Sequence, residues 1–319
     1  MHIFGRRTIA PFVVLLGLFY AVSAVAETTL KAVTFLPGNS AFVKPFQNLV
    51  NDINDQRSSQ LKIDIIGGPE AIPPFELGKA VSIGAVDLAV LPVNYYRALA
   101  IEAEALQLLP ERYHELRKTA AWTTIEQVHE SAGLKLISVY GDTVPFYTYL
   151  VSSIDDLDFS GLRMRVTPVY SAFYKSLGAT VTNLPPLEIH SALNAGAVDG
   201  FGWPAWDVTT FGWDEFVRYR IEPGFYRTAI AVVMNVDRWN SLSQANQKAI
   251  MDMVIPFERN ISELMAQRTL EELEKQREGG MVVIDLGDAV VQIAETVYWN
   301  YLKEQSPEII GRLHAATRN

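Results

Sequence analysis

Residues 73–92 read PPFELGKAVSIGAVDLAVLP, and residues 185–204, an offset of 112, read PPLEIHSALNAGAVDGFGWP. Nine of the twenty positions are identical without a gap, among them Glu76/Glu188, Gly84/Gly196, Val86/Val198, Asp87/Asp199 and Pro92/Pro204. Ordinary composition gives a chance identity of roughly one in seventeen, hence about one match. Each copy makes local physical sense. Two prolines close a loop and open a helix, a first-turn glutamate complements the helix dipole, and glycine ends the helix at a positive φ. Ala-Val-Asp then leads into a buried strand that a second proline terminates. One supersecondary unit in each half predicts two α/β lobes, the second starting near residue 143. The rival reading is a helix–turn–strand motif repeated inside one domain.

Outward from these copies, strand-length apolar runs at 30–36, 61–66, 88–91, 134–140, 164–166, 180–182, 200–203 and 229–235 alternate with amphipathic segments at 42–54, 75–83, 113–131, 169–177 and 187–195. Such alternation predicts mainly parallel sheets with helices on their faces. From Ser243 to about Arg277 the apolar residues recur at three or four, predicting one long helix across both lobes, stopped by Gly279-Gly280. A short strand at 281–284 and a helix at about 288–303 follow. The expected division is 27–142 with 235–278 as lobe I, and 143–234 with 279–319 as lobe II. Ligands of open α/β sheets sit outside the carboxyl ends of strands. That rule makes the segment from Pro92 through Asn94 and Tyr96 one wall of a cleft, and Trp203-Pro204-Ala205-Trp206 the other.

Composition narrows the function. The 319 residues include no cysteine, which removes disulfides, cysteine nucleophiles and thiolate metal sites together. With 49% hydrophobic residues, a sizeable core is available. Arg6 and Arg7, the apolar run 8–26 and Ala24-Val25-Ala26 before Glu27 read as a secretory signal peptide cleaved after Ala26, with an uncleaved membrane anchor as the rival. Its removal takes two arginines and no acid, so the formal charge of −9 becomes −11. An acidic surface of that kind argues against nucleic acid and anionic membranes as partners. No later stretch is long and apolar enough to span a bilayer.

Catalytic templates find no purchase. The sequence has no GxSxG elbow, no GxGxxG loop and no GxxxxGK[ST] loop. His114-Glu115 and His129-Glu130 lack the second histidine of a zinc protease, and Asp155-Asp156-Leu157-Asp158 lacks the glycine and distal glutamate of a calcium loop. We therefore expect no metal, no cofactor and no turnover. A hydrolase with a carboxylate pair in an inter-lobe cleft stays open as the alternative, although no pair is nominated.

Residues 161–204 also resemble the centre of the solute receptors of tripartite ATP-independent periplasmic (TRAP) transporters, the C4-dicarboxylate-receptor-like family. The matching motifs are Gly161-Leu162-Arg163-Met164-Arg165, Gly178-Ala179, Pro185-Pro186-Leu187-Glu188, and Val198-Asp199-Gly200 to Pro204. Gly67-Gly68-Pro69 and Trp239-Asn240-Ser241-Leu242-Ser243 extend the similarity over nearly all of the mature chain. The resemblance implies a two-lobed periplasmic binding protein of type II-like fold. It would capture a small organic acid between its lobes and deliver it to a permease driven by an ion gradient. It also implies that Arg165 holds the ligand carboxylate, a role suited to a planar guanidinium in a closed cleft. Arg163 alternates to the opposite face of the strand.

Two departures bear on the ligand. Phe146-Tyr147-Thr148-Tyr149 and Phe201-Gly202-Trp203 stand where many members carry basic or amide groups. A second anionic end would lose its partner there, so a monocarboxylate with an apolar or aromatic body fits better. Trp203 would wall the pocket and Tyr147 would donate a hydrogen bond, with Phe201, Tyr149 and Trp206 as further aromatic candidates. Asn94, Glu70 and Asn39, on loops after first-lobe strands, are the polar candidates, the last two with loop capping as the rival reading. A cationic ligand caged by aromatic rings is a further option.

Overall fold

The computed structural model describes residues 27–56 and 60–317; the expected signal segment lies outside the described residues. The first sheet starts with β1 (Thr28–Thr34), α1 (Lys44–Asn54), β2 (Leu61–Gly67), α2 (Leu77–Ser82) and β3 (Leu88–Pro92). After α3 (Tyr113–Leu116) and α4 (Ala120–Ser131), β4 (Leu134–Tyr140) ends the first pass, and the chain crosses into β5 (Pro145–Leu150) of a second sheet. There β6 (Arg163–Val166), α5 (Pro168–Ser176), β7 (Thr180–Asn183), α6 (Ile189–Asn194) and β8 (Gly200–Pro204) follow. The strand β9 (Tyr219–Arg227) leads back to β10 (Ile230–Asn235) of the first sheet. Then come α7 (Val236–Ser241), α8 (Gln244–Glu278), β11 (Val282–Asp285), α9 (Ala289–Gln305) and α10 (Pro307–Ala316).

The sequence echo is a duplicated βαβαβ unit. The first sheet runs β2-β1-β3-β10-β4 and the second β11-β9-β5-β8-β6-β7, so β2-β1-β3 and β7-β6-β8 are the same parallel arrangement. Matched residues do matched work. The Asp87 carboxylate accepts from the Lys31 N–H at 2.8 Å, and that of Asp199 accepts from the Arg163 N–H at 2.8 Å, tying β3 to β1 and β8 to β6. Gly84 and Gly196 both take positive φ, 75° and 61°, where a side chain would be strained.

Five of the nine strand pairings among the described residues are parallel and four antiparallel, so the parallel majority is a narrow one. Every antiparallel pairing involves β5 or β10, the strands on which the chain arrives from the other lobe. The periodicity does not mark β9, because Pro223 and Gly224 break its alternation.

The long helix α8 has 35 residues, on the order of 50 Å. Gln56 of lobe I donates to the Ala249 carbonyl near its start, and Gln276 near its end accepts from Tyr149 and Arg220 of the second sheet. The last helix, α10, packs on α9 and also reaches α4 of the first lobe. Its buried Ile310 and Leu313 need an apolar surface.

Candidate functional site

The strand-end rule locates the site. Pro92 and Pro204, the equivalent prolines that end β3 and β8, both line a small cavity between the lobes. Phe35, Phe42, Phe146, Trp203 and Ile230 form most of its apolar wall, and Asn94, Tyr95, Gln107, Thr167 and Tyr170 add polar atoms. No lysine, arginine, aspartate or glutamate is among these lining residues.

The lobes are closed around it. On one side Ser40 donates to the Asp207 carboxylate at 2.5 Å, and the Ala41 N–H donates to the same group at 3.0 Å. Phe42 meets Trp203 edge-on and Trp206 at a tilt beside that contact. Across the cavity, the Asn94 amide of lobe I donates to the Thr167 hydroxyl of lobe II at 3.4 Å. Underneath, the two crossing segments bond to each other through Thr228, whose N–H and hydroxyl both donate to the Val144 carbonyl. Gly141 is required there: at φ 106° a Cβ would stand 3.0 Å from the Thr228 carbonyl.

Arg165 ends β6 behind Tyr95, Tyr170 and Trp203, with none of its surface exposed. Its Nε and Nη2 both donate to the Leu184 carbonyl, at 3.0 and 2.7 Å, and its guanidinium lies 5.6 Å from the Trp203 ring centroid. Nη1 makes no hydrogen bond of good geometry, nor does the buried hydroxyl of Tyr95, although the two side chains are close enough to act on each other's charge. The groups acting on its charge are the hydroxyls of Tyr95, Tyr170 and Tyr174; no carboxylate among the described residues pairs with it. Burial lowers the Arg165 pKa from its ordinary value and pushes the Tyr170 hydroxyl up to about 12, so Tyr170 keeps its proton at neutral pH. A buried cation is ordinarily matched by an acid, because desolvating it alone costs several kcal/mol. The arrangement is therefore complementary to a carboxylate, with a buried guanidinium and a phenol as donors and an apolar surround.

The profile of the family described as bacterial extracellular solute-binding protein, family 7, matches residues 35–306. The chain belongs to that family. It is 21% identical over 276 residues to the monocarboxylate 2-oxoacid-binding periplasmic protein of a Nostoc species, covering 82% of this chain and 74% of that protein. Among solved structures, DctP7 of Bordetella pertussis, an extracytoplasmic solute receptor binding pyroglutamic acid, has a TM-score of 0.80 at 16% identity. That match covers 92% of this chain and all of DctP7. A TRAP periplasmic solute-binding protein of Ralstonia eutropha, with bound (S)-2-acetolactate, has a TM-score of 0.79 at 17% identity, covering 91% of this chain and 98% of its own. The two-lobed receptor fold is thus shared, and the family is one of transport receptors. No helix among the described residues is long and apolar enough to cross a membrane.

In this solute-binding protein the structure sorts the candidate residues. Trp203 and Asn94 line the cavity, and Arg165 lies behind its wall, 5.6 Å from the Trp203 ring centroid. Tyr147 and Tyr149 do not reach it. Alternation along β5 turns Phe146 to the cavity and against Tyr170, while Tyr147 lies under the Arg220 guanidinium and Tyr149 bonds Gln276 of α8. Phe201 is core, stacked on Tyr149 with centroids 5.1 Å apart. Trp206 is buried against α8, its Nε1 donating to Thr269, and it supports the site by accepting the Trp203 indole N–H on its carbonyl. Glu70 is an exposed loop cap, accepting from the Gly68 N–H at 2.7 Å, and those backbone bonds lower its pKa. Asn39 is exposed at the tip of the loop whose next residue, Ser40, bonds Asp207. Arg163 faces outward in an ion pair with Asp199.

Sequence reasoning missed Thr167, Tyr170, Tyr95 and Gln107 as individual site residues. The strand-end rule applied to β6 would have found Thr167 and, one helical turn on, Tyr170. Tyr95 sits within the wall segment but was not singled out, and nothing local marks Gln107.

Proposed function

We propose that this receptor captures a small monocarboxylate in the periplasm and passes it to the membrane subunits of a TRAP transporter driven by an ion gradient. The ligand carboxylate is held by Arg165 Nη1 and the Tyr95 hydroxyl, and its body lies against Trp203, Phe146 and Phe42. The buried, acid-free guanidinium with one unused N–H face is the observation that carries this reading. The wall itself offers no cation to join Arg165 in holding a second carboxylate and no acid for a caged cation, which favours neither a dicarboxylate nor a purely cationic solute. It also holds no carboxylate pair for the hydrolase alternative. The 2-oxoacid, pyroglutamate and acetolactate of the relatives are small acids with one carboxylate.

The test is isothermal titration and thermal shift of the chain from Glu27 onward with pyruvate, 2-oxobutanoate, L-lactate, pyroglutamate, succinate and ectoine. Stabilisation by one or more monocarboxylates, with ligand recovered unaltered, is expected. Stabilisation by succinate alone would overturn the ligand class, and turnover of a bound compound would overturn the receptor reading. Amino-terminal sequencing of the exported protein checks cleavage after Ala26.

A further inference from the structure

Beside Gln107 lies a second buried polar group. Tyr298 of α9 places its Oη 2.5 Å from Glu104 Oε2 and 3.3 Å from Gln107 Oε1. Both neighbours, so oriented, are acceptors if Glu104 is ionised, yet a phenol carries one proton. Two arrangements resolve the conflict. With Glu104 protonated, its O–H donates to Tyr298 Oη, and the Tyr298 O–H donates to Gln107 Oε1. With Glu104 ionised, the Tyr298 O–H donates to Glu104, and the Gln107 amide turns so that its NH₂ donates to Tyr298 Oη; amide orientation follows the surrounding hydrogen bonds.

Gln107 lines the ligand cavity. We propose that Glu104, acting through Tyr298, sets whether Gln107 offers the ligand a hydrogen-bond donor or an acceptor, making the choice between 2-oxo and 2-hydroxy monocarboxylates depend on one proton. The inference rests on the monocarboxylate reading of the same cavity. With Glu104 protonated, the Gln107 NH₂ faces the ligand and suits a 2-oxo group. With Glu104 ionised, the Gln107 carbonyl faces the ligand and suits a 2-hydroxyl.

Glu104 is fully buried and its Oε1 has no partner. Burial raises its pKa to about 7, with Arg97 and Tyr298 opposing, so both forms are populated around neutral pH. The groups facing it are few. Arg97, 3.0 Å away, also reaches the Pro168 carbonyl of lobe II at 3.4 Å. Tyr96 is held by His129 of α4, which burial keeps neutral at neutral pH. Tyr226 of β9 stacks at a tilt on Tyr298. At the start of α10, Ser306 bonds Glu102 instead. Nearby Arg227 donates to the Leu106 and Glu111 carbonyls. Glu104, Arg97 and Gln107 of the first lobe thus meet Tyr298 of α9 in one buried group.

Two measurements test it. In ligand-free protein labelled with ¹⁵N at glutamine side chains, the Gln107 NH₂ resonances, assigned by their loss in Gln107→Leu, should shift in a single transition near the Glu104 value. Glu104→Gln and Tyr298→Phe should abolish that transition. By calorimetry, the ratio of pyruvate to L-lactate affinity should fall about tenfold from acid to alkaline of the transition, the scale of one mismatched hydrogen bond. Glu104→Gln, whose NH₂ donates to Tyr298 as the protonated acid does, should hold the pyruvate preference at every pH. A transition that persists in Tyr298→Phe, or a pyruvate-to-lactate ratio that ignores pH while both acids bind, overturns the relay. A Gln107 transition with neither acid bound supports the relay and overturns the ligand reading.

Discussion

Replacing Arg165 with methionine separates a binding cation from a structural one. In the free receptor the substitution removes two N–H donors from one carbonyl, that of Leu184, at 3.0 and 2.7 Å. An orphaned buried carbonyl costs about 1–3 kcal/mol. The contact with Trp203, at 5.6 Å, contributes up to about 2 kcal/mol more. Against this, the variant no longer buries a cation that lacks an acidic partner and leaves Nη1 unsatisfied, a relief of several kcal/mol. The two sides nearly cancel, so stability of the free protein in guanidinium titrations should stay within about 2 kcal/mol of the parent. Binding has no such compensation. Removing one partner of a buried charge pair costs about 3–5 kcal/mol, which weakens the Kd by roughly 10² to 10³·⁵. Calorimetry with the tightest monocarboxylate reads that loss directly. A variant destabilised by more than about 4 kcal/mol whose folded fraction binds within about threefold of the parent would refute the reasoning, since Arg165 would then be a strut for Leu184.

Tyr95→Phe deletes a buried hydroxyl with no hydrogen bond of good geometry in the free state, so the free protein should be as stable as the parent or more so, while carboxylate affinity drops about tenfold by calorimetry. Asp207→Asn keeps a residue tolerant of φ 66° but removes one acceptor from Ser40 and Ala41 across the lobes. Small-angle scattering should show a larger mean radius, and affinity should fall by about five- to tenfold although the cavity wall is untouched. His129 donates from Nδ1 to the Ile125 carbonyl and accepts from Tyr96 on Nε2, and burial holds its pKa down to about 4. Its folded value lies below the unfolded one, so its contribution to stability is full above about pH 6.5 and is lost as pH falls toward 4. Denaturant midpoints measured across that window should decline, and His129→Gln should flatten the decline.

The duplicated fold was legible because its signals are local. Proline, glutamate, glycine and aspartate at fixed spacing in 73–92 and 185–204 each act within a few residues or on the next strand, and the same spacing repeats. The position of Arg165 at the end of a buried strand was legible for the same reason. The crossing strands were harder. The interruption at Pro223-Gly224 erases the alternation of β9, and β5 is so uniformly aromatic and buried that its sequence does not say which residues face the ligand.

By itself, then, the sequence determined the two-lobed plan and the cleft at the paired prolines, because backbone chemistry at short range suffices for both; Arg165 was singled out by the family resemblance of its strand. Tertiary structure alone decided that Phe146 and not Tyr147 faces the cavity, since the register of β5 against β8 and β9 sets which face of the strand meets α5 and which meets Arg220 and α8. It alone decided that Arg165 stays without an acid, a statement about every chain segment that could have supplied one. It alone brought Tyr298 to Glu104, 194 residues away, because that contact exists only once α9 has packed against the segment that carries Glu104.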